Sequence, residues 1–251
     1  MASSARVQLC GRFVLEWDGQ PVEAALPGRQ GRLLAAYLLL RRPYPASRDE
    51  LIDALWPLRP PPNASPAINA LLSKIRGLLG AKHVPGRREV CLVLPPDSRV
   101  DVEDACAALH EAQSALALGD WPRAWPTSLT ALFVTRRPLL PDTDLAWAEE
   151  WRQRLAVVHV EALECYATAC LHVGGTELPS AVRAARDLVR LAPLRESGHR
   201  TLMDALAAGG NVAEALTAYD ALRHLLREEL GVPPSPQLQD AHAHLLAGRP
   251  R

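Results

Sequence analysis

The chain has 251 residues, 48% of them hydrophobic, with 28 Lys/Arg balanced by 28 Asp/Glu. Such a chain can bury one large core or two modest ones, and its composition excludes disorder as the default. No apolar run approaches the roughly 20 residues of a membrane-spanning helix, and the neutral total divides into +6 over residues 1–100 (14 Lys/Arg, 8 Asp/Glu) and −6 over the remainder (14 and 20).

The N-terminal MASSARVQLC lacks the apolar stretch of a secretory signal, so a cytoplasmic protein is expected. VQLCGRFVLEWDGQPV then alternates apolar and polar residues around Asp18-Gly19, which predicts a hairpin or small sheet. Residues 29–42 (RQGRLLAAYLLLRR) combine helix formers with an apolar face, and Pro43 and Pro45 stop them. Ser47 and Glu50 have capping-box spacing and open a second helix that ends before Pro57. After the proline-rich connector PLRPPPNASP, ASPAINALLSKIRGLLG predicts a third helix. Ser65 is the expected N-cap, Pro66 fits the first turn, and Gly80 is expected to close the helix in a left-handed conformation. Residues 88–94 (REVCLVL) read as a strand. Strands, three helices and a strand are the layout of a winged helix, whose second and third helices form the helix-turn-helix.

From residue 101 onward the pattern is almost wholly helical, punctuated by Gly119, Gly174-Gly175 and Gly209-Gly210. ELPSAVRAARDLVRL matches NVAEALTAYDALRHLL at an offset of 34 residues, with Ala181 over Ala215, Leu188 over Leu222 and Gly175 over Gly209. That is the period of tetratricopeptide-type helix pairs, in which small residues let helices approach closely. The expected fold class is therefore mainly α with a small β part. A winged helix-turn-helix DNA-binding domain (residues 1–100) precedes an all-α tetratricopeptide-like domain (residues 101–251).

Residues that could carry catalysis are sparse. There is no Gly-rich phosphate loop, no GxSxG elbow and no HExxH, and no enzyme or cofactor is expected. Cys10, Cys91, Cys106, Cys165 and Cys170 form no CxxC pair, so buried thiols are expected rather than zinc or a disulfide framework. His242 and His244 would point to different faces of one helix. Asp142, Asp144, Glu149 and Glu150 read as an acidic helix start, and the pairs Trp121/Trp125 and Trp147/Trp151 as packing anchors.

The third helix is the segment with a specific test. At 100° per residue, Ile68, Leu71, Leu72, Ile75, Leu78 and Leu79 form one stripe. The opposite side carries Ala70, Ser73 and Gly77, flanked by Asn69, Lys74 and Arg76. Small residues with Asn, Ser, Lys and Arg suit close approach to base edges and phosphates. The helix alone leaves two readings open: a groove-reading face, or a polar face that meets solvent.

SRDELIDALWP, the proline-containing connector and SKIRGLLG together resemble the DNA-binding half of the Streptomyces antibiotic regulatory protein family. VDVEDACAAL and EALTAYDALRHLLREELGVPPSPQLQ are similar to the bacterial transcriptional activator domain that follows it in that family. The resemblance covers roughly residues 7–246. It implies a response-regulator-type winged helix whose third helix enters the major groove, with Asn69, Ser73, Lys74 and Arg76 at the matching positions. It also implies phosphate contacts from Arg29, Arg32 and Arg48, and a wing at Arg87 and Arg88. The sequence departs from the family at Ser65-Pro66-Ala67, Leu71, Gly77 and Glu89-Val90.

What the resemblance implies is a transcriptional activator that binds double-stranded promoter DNA, often as pairs on direct repeats. It would contact RNA polymerase through its sigma or alpha subunit and switch on a gene cluster, typically for secondary metabolism. No membrane partner is expected. The alternative is an adaptor that has lost DNA binding and docks a protein partner through its helical repeats. The chain ends soon after the repeats, so no nucleotide-driven switch or sensor domain is expected to be attached.

Overall fold

The computed structural model describes residues 4–248. Residues 1–3, part of the segment read as lacking a leader, and residues 249–251, within the predicted helical domain, lie outside the described residues. Two compact units are formed. One takes in residues up to Asp104 together with Arg137–Arg154, and the other Ala105–Arg136 with the residues from Leu155 onward.

The first unit opens with strands β1 (Ala5–Gln8), β2 (Val14–Trp17) and β3 (Gln20–Pro21). They pair antiparallel in succession, and β6 (Arg99–Val100) joins β1 in parallel to complete the order β3-β2-β1-β6. The β2–β3 turn falls on Asp18 and Gly19, with φ of 50° and 76°; a two-residue hairpin turn matched to strand twist needs positive φ at both central residues. Alternation puts Ala5, Val7, Leu15 and Trp17 inside.

Helices α1 (Gly28–Arg41), α2 (Arg48–Leu55) and α3 (Ala64–Leu79) pack on one another in all three pairings. Strand β4 (Ala46–Ser47) leads into α2 and pairs antiparallel with β5 (Glu89–Val90), which follows α3. Three mutually packed helices, closed by a strand pair whose members precede the second helix and follow the third, make a winged helix. The capping box forms as predicted. The Ser47 hydroxyl accepts from the Glu50 N–H at 3.2 Å, and the Glu50 carboxylate accepts from the Ser47 N–H at 2.7 Å.

Three local expectations are corrected. Helix α3 begins at Ala64, and Ser65 lies inside its first turn rather than at the cap. The cause is the tight turn of residues 61–64, in which the Ala64 N–H reaches the Pro61 carbonyl at 2.9 Å and starts the helix early. Pro66 still occupies a first-turn position where no N–H is needed. Gly80 has the expected positive φ of 94°, but its ψ of 139° is extended rather than left-handed helical. The strand at residues 88–94 shrinks to Glu89–Val90. Beyond it Val93 donates to His83 instead of a strand partner, while Val90 and Leu92 keep the alternate burial that suggested a strand.

Arg137–Arg154 is held to the first unit by groups with no sequence periodicity. Gly11 donates to the Pro138 carbonyl at 2.8 Å, and Leu140 donates to the Leu9 carbonyl at 3.0 Å. The Trp147 indole donates to the Ala54 carbonyl at 3.0 Å, and within the segment itself the Arg152 guanidinium binds the carbonyls of Leu139, Leu140 and Thr143. Asp101, at the first residue of α4 (Asp101–Ala117), accepts from the N–H groups of Leu9, Cys10 and Val102, each at 2.9 Å.

The second unit contains the rest of α4, α5 (Trp121–Thr135), the part of α6 (Ala146–Val173) from Leu155, α7 (Leu178–Leu191), α8 (Glu196–Ala208), α9 (Val212–Leu230) and α10 (Pro236–Leu246). Helices α7 and α9 start 34 residues apart, at Leu178 and Val212. Ala181, Ala215, Leu188 and Leu222 are all fully buried, so the repeat in the sequence is a repeat in the packing. The aligned glycines differ, with φ of 54° at Gly175 and −81° at Gly209; the left-handed turn falls on Gly210 instead.

Gly231 closes α9 in the left-handed region, and the Glu196 carboxylate accepts from the Ser235 N–H at 2.8 Å, seating the PPSPQL segment on α8. Cys10, Cys165 and Cys170 are buried as expected, whereas Cys91 is half-buried and Cys106 lies on the outer side of α4. Among the described residues no helix is long and apolar enough to cross a membrane.

Candidate nucleic-acid interface

Helix α3 divides its residues by period. Ala64, Ile68, Leu72, Ile75 and Leu79 are buried, while Leu71 and Leu78 flank that stripe half-buried. Asn69, Ala70, Ser73, Lys74 and Gly77 are exposed. The helix contains no acidic residue, and the side chains of Asn69, Ser73 and Lys74 have no hydrogen-bond or ion-pair partner among the described residues. An amide, a hydroxyl and an ammonium are thus presented together on a face free of competing carboxylates.

Arg76 is different. It is half-buried, its Nε donates to the Val84 carbonyl at 2.9 Å, and its Nη2 donates to the Gly86 carbonyl at 2.5 Å. Arg48 reaches the same turn from the start of α2, with Nε donating to the Arg87 carbonyl at 2.9 Å. Two guanidiniums therefore clamp residues 84–87 by their backbone. Burial and, second, the nearby Arg76 charge lower the Arg48 pKa from its ordinary value, and Arg48 Nη1 is buried without a partner.

The turn these arginines hold presents Arg87 and Arg88, both exposed. Gly86 has φ of 97°, and a Cβ there would lie 1.8 Å from the Glu89 carbonyl oxygen, so only glycine fits. On the far side of the turn His83 is buried, with Nδ1 at 2.8 Å from the Val93 carbonyl and its ring edge-on to Trp17 at 4.8 Å. Sequence reasoning passed over Gly86 and His83. The Pro85-Gly86 dipeptide is a turn signal that marks the first; a lone histidine gives no such signal.

The predicted contact residues thus separate into three places. Asn69, Ser73 and Lys74 share the outer face of α3. Arg48 and Arg76 are engaged at the base of the turn that carries Arg87 and Arg88. Arg29 and Arg32, on the first turns of α1, are exposed in a cleft that no α3 residue lines.

Three of the other residues singled out in the sequence make packing or pairing contacts. His242 stacks on Tyr219 at 3.9 Å, Trp121 stacks on His172 at 3.9 Å, and Glu149 pairs with Arg152 at 3.0 Å. No group of three or more His, Cys, Asp or Glu side chains that could hold a metal occurs among the described residues.

The family model of the bacterial transcriptional activator domain matches residues 100–246. The regulatory protein AfsR of Streptomyces coelicolor is 34% identical over 242 residues, which cover 93% of this chain and 23% of AfsR. The transcriptional regulator RedD of the same organism is 31% identical over 231 residues, covering 87% of this chain and 64% of RedD. The solved structure of Mycobacterium tuberculosis EmbR in complex with a low affinity phosphopeptide matches 99% of this chain and 66% of that chain, with a TM-score of 0.84 and 25% identity. The chain spans about a quarter of the length of the AfsR proteins of Streptomyces griseus and S. coelicolor, at 24% and 23%. The winged helix, the repeat-built second unit and these matches have one conclusion: the chain belongs to the Streptomyces antibiotic regulatory protein family, carrying that family's bacterial transcriptional activator domain.

Proposed function

We propose that the chain is a sequence-specific transcriptional activator that binds promoter DNA through residues 1–100 and docks RNA polymerase through residues 101–251, acting in the cytoplasm and on paired direct repeats. The observation that carries this reading is the outer face of α3, exposed, free of acids and presenting the unpartnered Asn69, Ser73 and Lys74. In the major groove, Asn69 and Ser73 have the donors and acceptors to address base edges, and Lys74 suits a phosphate. Arg87 and Arg88 serve as wing contacts to the flanking backbone, while Arg48 and Arg76 hold the wing in place. Ala70 and Gly77 allow close approach and add no readout, so phosphate contacts supply much of the affinity and make it salt-dependent.

The test is a salt titration of the chain on its own upstream DNA and on random duplex, paired with genome-wide mapping of bound sites. Binding that weakens linearly in log salt, with a preferred site recovered by mapping, is the expected result. No detectable binding to either duplex at low salt would overturn it and favour the protein-docking adaptor.

A further inference from the structure

A cavity of about 630 Å³ in the first unit lies between the start of α1, the loop that follows β1, and residues 140–143. Its size is that of a small-molecule site. Phe13, Leu33 and Leu140 supply an apolar wall, and Arg12, Arg29 and Arg32 bring three guanidiniums to it. We propose that this cleft binds a small amphipathic anion, a carboxylate or phosphate ester with an apolar body.

The charge accounting favours an anion. Two acids also line the cleft. Glu23 lies 3.8 Å from Arg12 and offsets it, and Asp142 is exposed. Arg29 spends one nitrogen on the neutral Asp142 carbonyl at 3.3 Å, and Arg32 has no hydrogen-bond or ion-pair partner among the described residues. The start of α1 adds to the same field, since Pro27 gives no side-chain cap and the first turn holds no acidic residue. Uncapped N–H groups and the positive end of the helix dipole favour an anion there. An acidic head group at Arg29 and Arg32 would leave its apolar body against Phe13, Leu33 and Leu140. This site is separate from the α3 face and does not depend on DNA binding.

Isothermal titration calorimetry of the full 251-residue chain with octanoate, octyl phosphate, octanol and octylammonium tests the proposal. Saturable 1:1 binding of octanoate or octyl phosphate, at least tenfold tighter than octanol or octylammonium, is expected, and the preferred anion identifies the head group. The Arg29→Gln/Arg32→Gln variant, altered only at exposed positions, should lose at least tenfold in affinity for that anion. In the unaltered chain, the side-chain NMR resonances of Phe13, Arg29 and Arg32 should shift on titration. Equal binding of octanol, an unchanged affinity in the double variant, or shifts confined to other residues would overturn the assignment.

Discussion

Lys74 and Arg76 carry the same charge two positions apart, yet their surroundings give them different work. The Lys74 ammonium is exposed and unpartnered, whereas the Arg76 guanidinium is committed to the carbonyls of Val84 and Gly86. Lys74→Ala should therefore weaken DNA binding about equally on all sequences and lower the log–log salt slope by about 1. Stability should be nearly unchanged, as for most exposed substitutions. Arg76→Ala should instead destabilise the first unit by about 1.5–3 kcal/mol, the scale of hydrogen bonds to a charged group, and weaken DNA binding through a loosened wing. Salt-titrated gel shifts and thermal melts of the two variants separate these roles; identical behaviour would show that Arg76 is a direct contact.

A second expectation at this scale concerns pH. Burial lowers the pKa of His199, outweighing the Pro193 carbonyl beside its Nε2, and burial likewise lowers that of His159. The folded state then favours neutral imidazoles, while the unfolded chain takes up protons near pH 6.5. Between the lowered value and 6.5 the unfolded state binds more protons, so this contribution to stability is present above pH 6.5 and lost as pH falls. The urea midpoint of the second unit should drop between about pH 7.5 and pH 5.5, and His199→Gln should reduce the drop. A midpoint that stays flat in the unaltered chain would contradict this account.

Single elements show how local chemistry sets boundaries. The reciprocal bonds of Ser47 and Glu50 fix where α2 starts, and Ser47→Ala should cost about 1 kcal/mol in chemical denaturation. In α3, Gly77 is exposed, and an added Cβ would meet nothing within 4 Å. Gly77→Ala should stabilise the fold by about 0.5–1 kcal/mol, because glycine in a helix interior costs backbone entropy; a lowered midpoint would show that α3 needs glycine for another reason. Gly86→Ala should do the opposite, since its Cβ would collide with the backbone at Glu89 and positive φ is already required. The capping box, the 34-residue repeat and the apolar stripe of α3 were legible because each repeats a fixed spacing. The early start of α3 at Ala64 was not, because it arises from the turn geometry of the preceding prolines.

For the whole molecule, the division of charge along the chain agrees with the proposed DNA-facing first part and partner-facing second part. Composition places the switch near residue 100, but the first compact unit also takes in Arg137–Arg154. A fragment of residues 1–100 would lack the carbonyl-binding Arg152 loop and the Trp147 indole that meets Ala54. Its melting temperature should fall by several degrees or more relative to the same unit in the full chain, read by near-UV circular dichroism. An equally stable fragment would show that those contacts add nothing. The sequence alone determined the winged-helix order, the helix pairs and the recognition-helix candidate, because hydrophobic periodicity and capping are local properties written in residue spacing. Only the tertiary structure decided that Arg76 and Arg48 hold the wing, that Arg29 and Arg32 open onto a cleft, and that residues 137–154 complete the first unit. Those roles depend on which carbonyls and surfaces meet across distant stretches of chain, and a side chain's type does not reveal the partner that folding brings to it.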